Sequence, residues 1–302
     1  MSRVIEVESL TKRFGHLTAV DGVSFHVEEG EIFGLLGENG AGKTTTIETI
    51  EGFLRPDGGT VRVLGRDPLH AHRDWRDRIG LVLQESDFDP LHSVRETLTL
   101  FARFFSNPRD VDETLALVGL SDKAGERVGR LSGGQKRRVD VALGIVGRPD
   151  LLFLDEPTTG FDPVARREFW EVIEGLRDTG TSMILTTHYM EEAERLCDRL
   201  AIMARGRIVA EGTSASLIKG MGATTIRFEM PGGVALAALR EVAGAHFHCY
   251  EDLASVSVGE ELDEVLWRLL EWSRSTSTPL HGLEVVRPTL NDVFLGATKG
   301  DE

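Results

Sequence analysis

The sequence predicts an α/β protein with a parallel-sheet core and a phosphate-binding loop, an antiparallel sheet beside it, a helical insert, and a small α+β domain at the end. Three observations predict this. Gly37-Glu38-Asn39-Gly40-Ala41-Gly42-Lys43-Thr44-Thr45 fits G-x-x-x-x-G-K-S/T, between the apolar run Ile32-Phe33-Gly34-Leu35-Leu36 and a helix-like start from Thr45 to Ile50; strand, loop and helix in that order are the setting the motif requires. Leu151-Leu152-Phe153-Leu154 and Met183-Ile184-Leu185 are continuous apolar runs with a helical pattern from Arg166 to Arg177 between them, which reads as a βαβ unit with buried strands. After about Gly220 the texture changes to short strands and helices, which marks a second domain.

The remaining elements follow in chain order. Val4 to Val7, Val23 to Val27 and Thr60 to Val63 alternate apolar and polar residues, as half-buried antiparallel strands do. Between about 90 and 145 apolar residues recur at spacings of three and four, as in Val94 to Ala102; that period is helical. Thr225 to Phe228, a helix near Val234 to Val242, Phe247 to Tyr250, Ala254 to Val258, a helix near Leu262 to Trp272, and Leu283 to Val286 spell βαββαβ, the ferredoxin-like order. Gly220-Met221-Gly222 reads as the linker between the domains.

Composition narrows the function. With 302 residues the chain has room for one large and one small domain. Its net charge of -15 argues against the clustered basic footprint that binds phosphate backbones, so no nucleic acid is expected as a partner. No apolar run approaches the roughly 20 residues that span a bilayer, and the start Met1 to Glu6 lacks the apolar segment of a secretion signal. The expected location is therefore cytoplasmic, unless a partner holds the chain elsewhere. Cys197 and Cys249 match no metal spacing and read as small, partly buried side chains.

The loop residues have individual chemical reasons. Gly37, Gly40 and Gly42 let the backbone approach a phosphate, the helix N-terminus favours the anion, Lys43 reaches the β- and γ-phosphates, and Thr44 offers a hydroxyl to Mg²⁺. Asp155 and Glu156 end an apolar strand, at the carboxyl edge where α/β sheets bind ligands. Asp155 is expected to hold Mg²⁺, directly or through water, and Glu156 to orient or deprotonate an attacking water. Leu131-Ser132-Gly133-Gly134-Gln135 precedes a helical stretch from Lys136 to Ile145, so Ser132 is placed to cap a helix whose N–H groups face an anion.

Taken in order, these motifs resemble the ATP-binding cassette of ABC transporters. The phosphate loop is followed by Gln84 after Leu81-Val82-Leu83, by Leu131 to Gln135, which matches that family's L-S-G-G-Q signature, by the Asp-Glu strand, and by His188 after Leu185-Thr186-Thr187. The resemblance implies a P-loop cassette over residues 1–220, with a RecA-like parallel core, an antiparallel β-subdomain and a helical subdomain at about 88–146. Residues 221–302 are left as the α+β accessory domain. It implies ATP and Mg²⁺ as cofactors and a pair of cassettes, each ATP gripped by one phosphate loop and the partner's signature.

Carried over by position, the resemblance assigns Phe14 in Lys12-Arg13-Phe14-Gly15 to stacking on adenine, an aromatic face serving as well as the more common Tyr. It assigns Gln84 to Mg²⁺ and the attacking water, Asp162 to the loop crossing between cassettes, and His188 to the γ-phosphate. Glu38 stands where relatives commonly carry Pro, and Phe161 where Leu is more frequent. Arg287-Pro288-Thr289-Leu290-Asn291-Asp292-Val293-Phe294-Leu295 resembles the tail of cassettes from ABC-2-type exporters of the daunorubicin-resistance and multidrug-efflux group, and Phe88 to Glu96 resembles that group as well. The expected function is ATP hydrolysis that energises export of a drug, lipid or other amphiphile through a separate ABC-2-type permease, the cassette lying on the inner face of the membrane. The alternatives are a soluble cassette ATPase not coupled to transport, which in known families has two fused cassettes or a long coiled coil, and a regulatory scaffold, which the intact Lys43, Asp155, Glu156 and His188 speak against.

Overall fold

The computed structural model describes residues 2–83, 88–220, 224–230, 236–244, 246–250, 253–259 and 261–299. The chain divides into two compact units, Met1–Ser214 and Ala215–Glu302.

In the first unit, strands β1 (Arg3–Phe14), β2 (Leu17–Glu28) and β4 (Gly58–Val63) form an antiparallel sheet in the order β2-β1-β4. β1 and β2 run for 12 residues each, well beyond the segments that alternate in sequence. Their pairing shifts register between Val7 and Leu10 and again on either side of Lys12. Each shift breaks the period of two, which hides the length of the strand from pattern reading.

The central sheet has six strands in the order β5-β6-β7-β3-β8-β9. They are β3 (Ile32–Gly37), β5 (Ile79–Val82), β6 (Leu151–Asp155), β7 (Ser182–Thr187), β8 (Arg199–Ala204) and β9 (Arg207–Gly212). All pair in parallel except β9, which runs antiparallel along the edge. Successive residues of the parallel strands face opposite cores. Phe153 and Ile184 join Phe33 and the β1-β2-β4 residues on one side, whereas Leu152, Leu154, Met183 and Leu185 join the helices on the other. Burial on both faces is what the unbroken apolar runs encode.

Helices α1 (Lys43–Ile50), α2 (Arg73–Arg76), α3 (Val94–Ala102), α4 (Val111–Leu117), α5 (Gly133–Ile145), α6 (Pro163–Arg177) and α7 (Met190–Leu196) complete the unit, and α8 (Ser214–Gly220) straddles the division. The helical insert consists of α3, α4 and α5 with two single 3-10 turns between α4 and α5. α5 and α6 each start three residues before the apolar period becomes visible, because the caps decide the start. Asp162 caps α6 with Pro163 in the first turn, and α6 then buries Phe169, Trp170, Val172, Ile173 and Leu176.

In the second unit β10 (Thr224–Glu229), α9 (Leu236–Ala243), β11 (Phe247–Tyr250), β12 (Leu253–Val258), α10 (Leu262–Ser275), β13 (Glu284–Val286) and α11 (Leu290–Lys299) follow one another. The sheet order β11-β12-β10-β13, antiparallel throughout, is the ferredoxin-like arrangement. Ile226, Phe228, Leu239, Phe247, Val256, Val265 and Leu269 form its own core. Of the residues read as a linker, Gly220 closes α8, and Met221 and Gly222 lie outside the described residues. Among the described residues no helix is long and apolar enough to cross a membrane.

Candidate nucleotide-binding site

Sheet register positions the site. Leu36 at the end of β3 pairs with Thr187 of β7, and Asp155 at the end of β6 pairs with Thr186. The carboxyl ends of β3, β7 and β6 are therefore level, and the loops leaving them converge, as α/β sheets do where they bind ligands.

The loop after β3 has Gly40 at φ 84° and Gly42 at φ 103°. At Gly42 a Cβ would stand 2.5 Å from the Ala19 carbonyl oxygen, so both conformation and space require glycine. Lys43, only 4% exposed, donates from Nζ to the carbonyl oxygens of Gly37 (2.8 Å) and Glu38 (3.1 Å) and lies 3.4 Å from Glu156 Oε1.

Two threonines hold the carboxylates. Thr186 Oγ1 donates to Asp155 Oδ1 (2.5 Å) and accepts from the Glu156 backbone N–H (2.9 Å), which locks the strand end. Thr159 Oγ1 donates to Glu156 Oε2 (3.1 Å), the oxygen that lies 3.5 Å from His188 Nδ1. Glu156 itself has φ 42°, a left-handed conformation that a non-glycine residue seldom adopts.

Phe14, Asn39, Gly40, Gly42, Lys43, Thr44, Thr45, Glu156 and His188 line one cleft of about 900 Å³. Phe14 sits at the hairpin between β1 and β2 with 47% of its surface exposed. Of the other expected loop residues, Gly37 and Glu38 contribute carbonyls to Lys43, Ala41 is buried behind the loop, and the Glu38 side chain faces solvent. Thr18, Thr159 and Arg205 also line the cleft and carry no motif by which sequence reading singles them out. Gln84 lies outside the described residues.

Leu131, Ser132, Gly133, Gly134 and Gln135 do not line this cleft. Leu131 is buried, and Ser132 and Gly133 are exposed at the start of α5. Ser132 Oγ accepts from the Gln135 backbone N–H (3.3 Å) while Gln135 Oε1 accepts from the Ser132 N–H (3.0 Å), a reciprocal cap. Asp162 likewise accepts from Val164 (2.9 Å) and Ala165 (3.0 Å), and these backbone donors, Ala165 foremost, hold its carboxyl below the usual range.

Two ionisable groups interact with the Asp155 strand end. Arg137 of α5 donates to the carbonyls of Pro157 (2.9 Å), Asp155 (3.1 Å) and Leu83 and faces Asp140; its burial draws its pKa down. Glu51 closes α1, and burial, reinforced by Asp155 and then Glu48, pushes its carboxyl up to about 8.

Comparison with known proteins shows the family. The family model for the ABC transporter matches residues 20–159. A Nod factor export ATP-binding protein I of Paraburkholderia xenovorans is 44% identical over 259 residues, covering 82% of this chain and 85% of the relative. The chain belongs to the ABC transporter family. ABC cassettes bind ATP and hydrolyse it to power transport, and this chain is such an ATPase subunit. The daunorubicin/doxorubicin resistance ATP-binding protein DrrA of Streptomyces peucetius is 36% identical over 307 residues, covering 98% of this chain and 93% of the relative. A second family model, the C-terminal domain of ABC transporter domain-containing protein-like chains, matches residues 224–289. Among solved structures, an ABC-transporter cassette in its ADP conformation superposes with a TM-score of 0.64 at 25% identity, covering 72% of this chain and 93% of that one. CbiO1 of Clostridium perfringens, part of the ABC transporter complex cbiONQ, gives 0.64 at 27% identity, covering 73% and 95%.

Proposed function

We propose that the chain is the ATP-hydrolysing subunit of an ABC-2-type exporter, working as a pair of cassettes on a separate membrane permease. The observation that carries the reading is the convergence of Lys43, Glu156, His188 and Phe14 on one cleft, in a chain related over most of its length to export and resistance ATP-binding proteins. Phe14 offers a ring face to adenine. Backbone N–H groups from Asn39 to Thr45 and the Lys43 ammonium take the phosphates.

The donor set suits Mg²⁺, which is held by a hydroxyl, a carboxylate and the nucleotide's own phosphates. Thr44 and Asp155 would supply the first two, with Gln84 as the third expected ligand. When bound, Mg²⁺ would neutralise charge on the phosphates. Glu156 orients or deprotonates the water, and His188 steadies the γ-phosphate as charge develops.

The exposed cap at Ser132 and Gly133, and Asp162, lie off the chain's own cleft, so in this reading they serve the ATP of a second copy. A groove of about 860 Å³ lined by Leu83, Leu100, Phe101 and Phe104, all exposed, suits an apolar segment of the permease and supports a peripheral place at the membrane. The cargo is a drug, lipid or other amphiphile. Affinity purification of the chain from its own host, with the accompanying proteins identified, tests the reading. A polytopic membrane protein should accompany it, and a chain that comes alone or with ribosomes would overturn the transport role.

A further inference from the structure

His188 has few fixings of its own. Its Nδ1 is buried, approaches Glu156 only to 3.5 Å, and makes no hydrogen bond among the described residues. What the imidazole does touch is the ring of Tyr189, with centroids 4.1 Å apart at 40°. Tyr189 is held in turn: the Arg166 guanidinium lies over its ring at 3.9 Å from the centroid, and its backbone N–H donates to Thr187 Oγ1 (3.0 Å). Arg166 stands in the first turn of α6, its backbone N–H bonded to the Asp162 carbonyl (3.0 Å) and its guanidinium 3.5 Å from the Phe161 carbonyl.

We propose that Arg166 and Tyr189 are positioning residues, a cation–π stack that sets the imidazole of His188 and ties it to the loop carrying Asp162. The inference rests on the proposed role of His188 at the γ-phosphate. A guanidinium over an aromatic face is an attraction that survives at partly exposed sites, and Arg166 and Tyr189 are both half-buried. Because Arg166 is anchored to Phe161 and Asp162, a movement of that loop moves the guanidinium, the phenol ring and then the imidazole. The loop proposed to face the second cassette thereby acquires a mechanical route to the chemistry in its own cleft. Neither residue lines the cleft, so loss of the stack should spare ATP binding and impair turnover.

The test uses the full-length chain, with ATP affinity, kcat, KM and thermal unfolding measured for Arg166→Gln, Tyr189→Leu, the double variant and Tyr189→Phe, beside His188→Ala. Small misplacements of a reacting group cost up to about 100-fold in rate. Each single variant should therefore lose about 10- to 100-fold in kcat with ATP affinity, KM and unfolding midpoint unchanged. The double variant should be no worse than the weaker single, because both break one unit. Tyr189→Phe, which keeps the ring face, should recover most of the rate. Unchanged kcat in the single variants, additive losses, or an equal loss in Tyr189→Phe would overturn the stack while His188→Ala remains impaired. Full activity in His188→Ala would overturn the role of His188 and the inference with it. Should Tyr189→Leu fail to fold, Arg166→Gln and Tyr189→Phe decide: an unchanged kcat in Arg166→Gln, or an equal loss in Tyr189→Phe, overturns the stack.

Discussion

Lys43 Nζ and Glu156 Oε1 stand 3.4 Å apart across the cleft, although their strands β3 and β6 are separated by β7. The ammonium proposed to receive phosphate is thus shared with the carboxylate proposed to activate water. Glu156→Gln should lower ATP turnover by about 10²–10⁴-fold, the usual range for a positioned general base. ATP affinity should hold or rise, since the amide competes less for Lys43. Steady-state hydrolysis and ATP titration of the variant check both halves, and near-normal hydrolysis would remove Glu156 from the role.

Thr186 holds both members of the carboxylate pair through one hydroxyl. Thr186→Val keeps the shape and removes that hydroxyl, leaving the Glu156 N–H without its acceptor. Turnover should fall by about 10-fold or more, with Thr186→Ser restoring it. Equal kinetics in the valine and serine variants would show that the hydroxyl has no part in placing the carboxylates.

Shared sites can be tested by mixing chains. If cassettes pair as proposed, a Lys43→Ala chain and a Ser132→Arg chain each give pairs with no intact composite site, whereas a mixed pair retains one. Activity should reappear on mixing. Its absence, with mixed pairs shown by differential tagging, would count against the shared site or require both sites to act together.

Glu51 gives a pH dependence with a definite sign. Its carboxyl ionises near the ordinary 4.5 when unfolded and at about 8 when folded. Between those values the native state holds the extra proton, so stability falls as pH rises through the window. Glu51→Gln should remove this loss, a difference on the order of 2–4 kcal/mol between about pH 5 and about pH 8. Denaturant unfolding of both proteins at the two pH values measures it, and parallel curves would refute the burial argument.

The second unit has its own core, so truncation after Lys219 should leave ATP affinity and cassette unfolding intact. Pairing of cassettes should weaken, as read by sedimentation with ATP in a Glu156→Gln background. A truncated chain that pairs equally well would remove that role from the unit.

What was legible in sequence was whatever local chemistry encodes. The phosphate loop announces itself through glycines at fixed offsets and one lysine, and buried parallel strands through unbroken apolar runs. Caps are half legible: Ser132 before its helical stretch reads as one, whereas Asp162 beside Pro163 starts α6 three residues before the apolar period shows it. Thr186, Thr159 and Arg137 were illegible for a tertiary reason. A threonine at a strand end looks like any β-former until register sets it against Asp155, and nothing near Arg137 in the chain reveals carbonyls at Leu83, Asp155 and Pro157. The elevated carboxyl of Glu51 likewise depends on what covers it.

The left-handed backbone at Glu156 bears on how this sequence can drift. Glycine would relax the turn, and asparagine would tolerate it better than glutamate does. Selection for folding alone therefore pulls this position away from glutamate. A copy of the gene released from its duty should lose glutamate here early and gain a more robust protein as it does so, so that a thermally hardier, silent cassette is the expected relic of such a lineage.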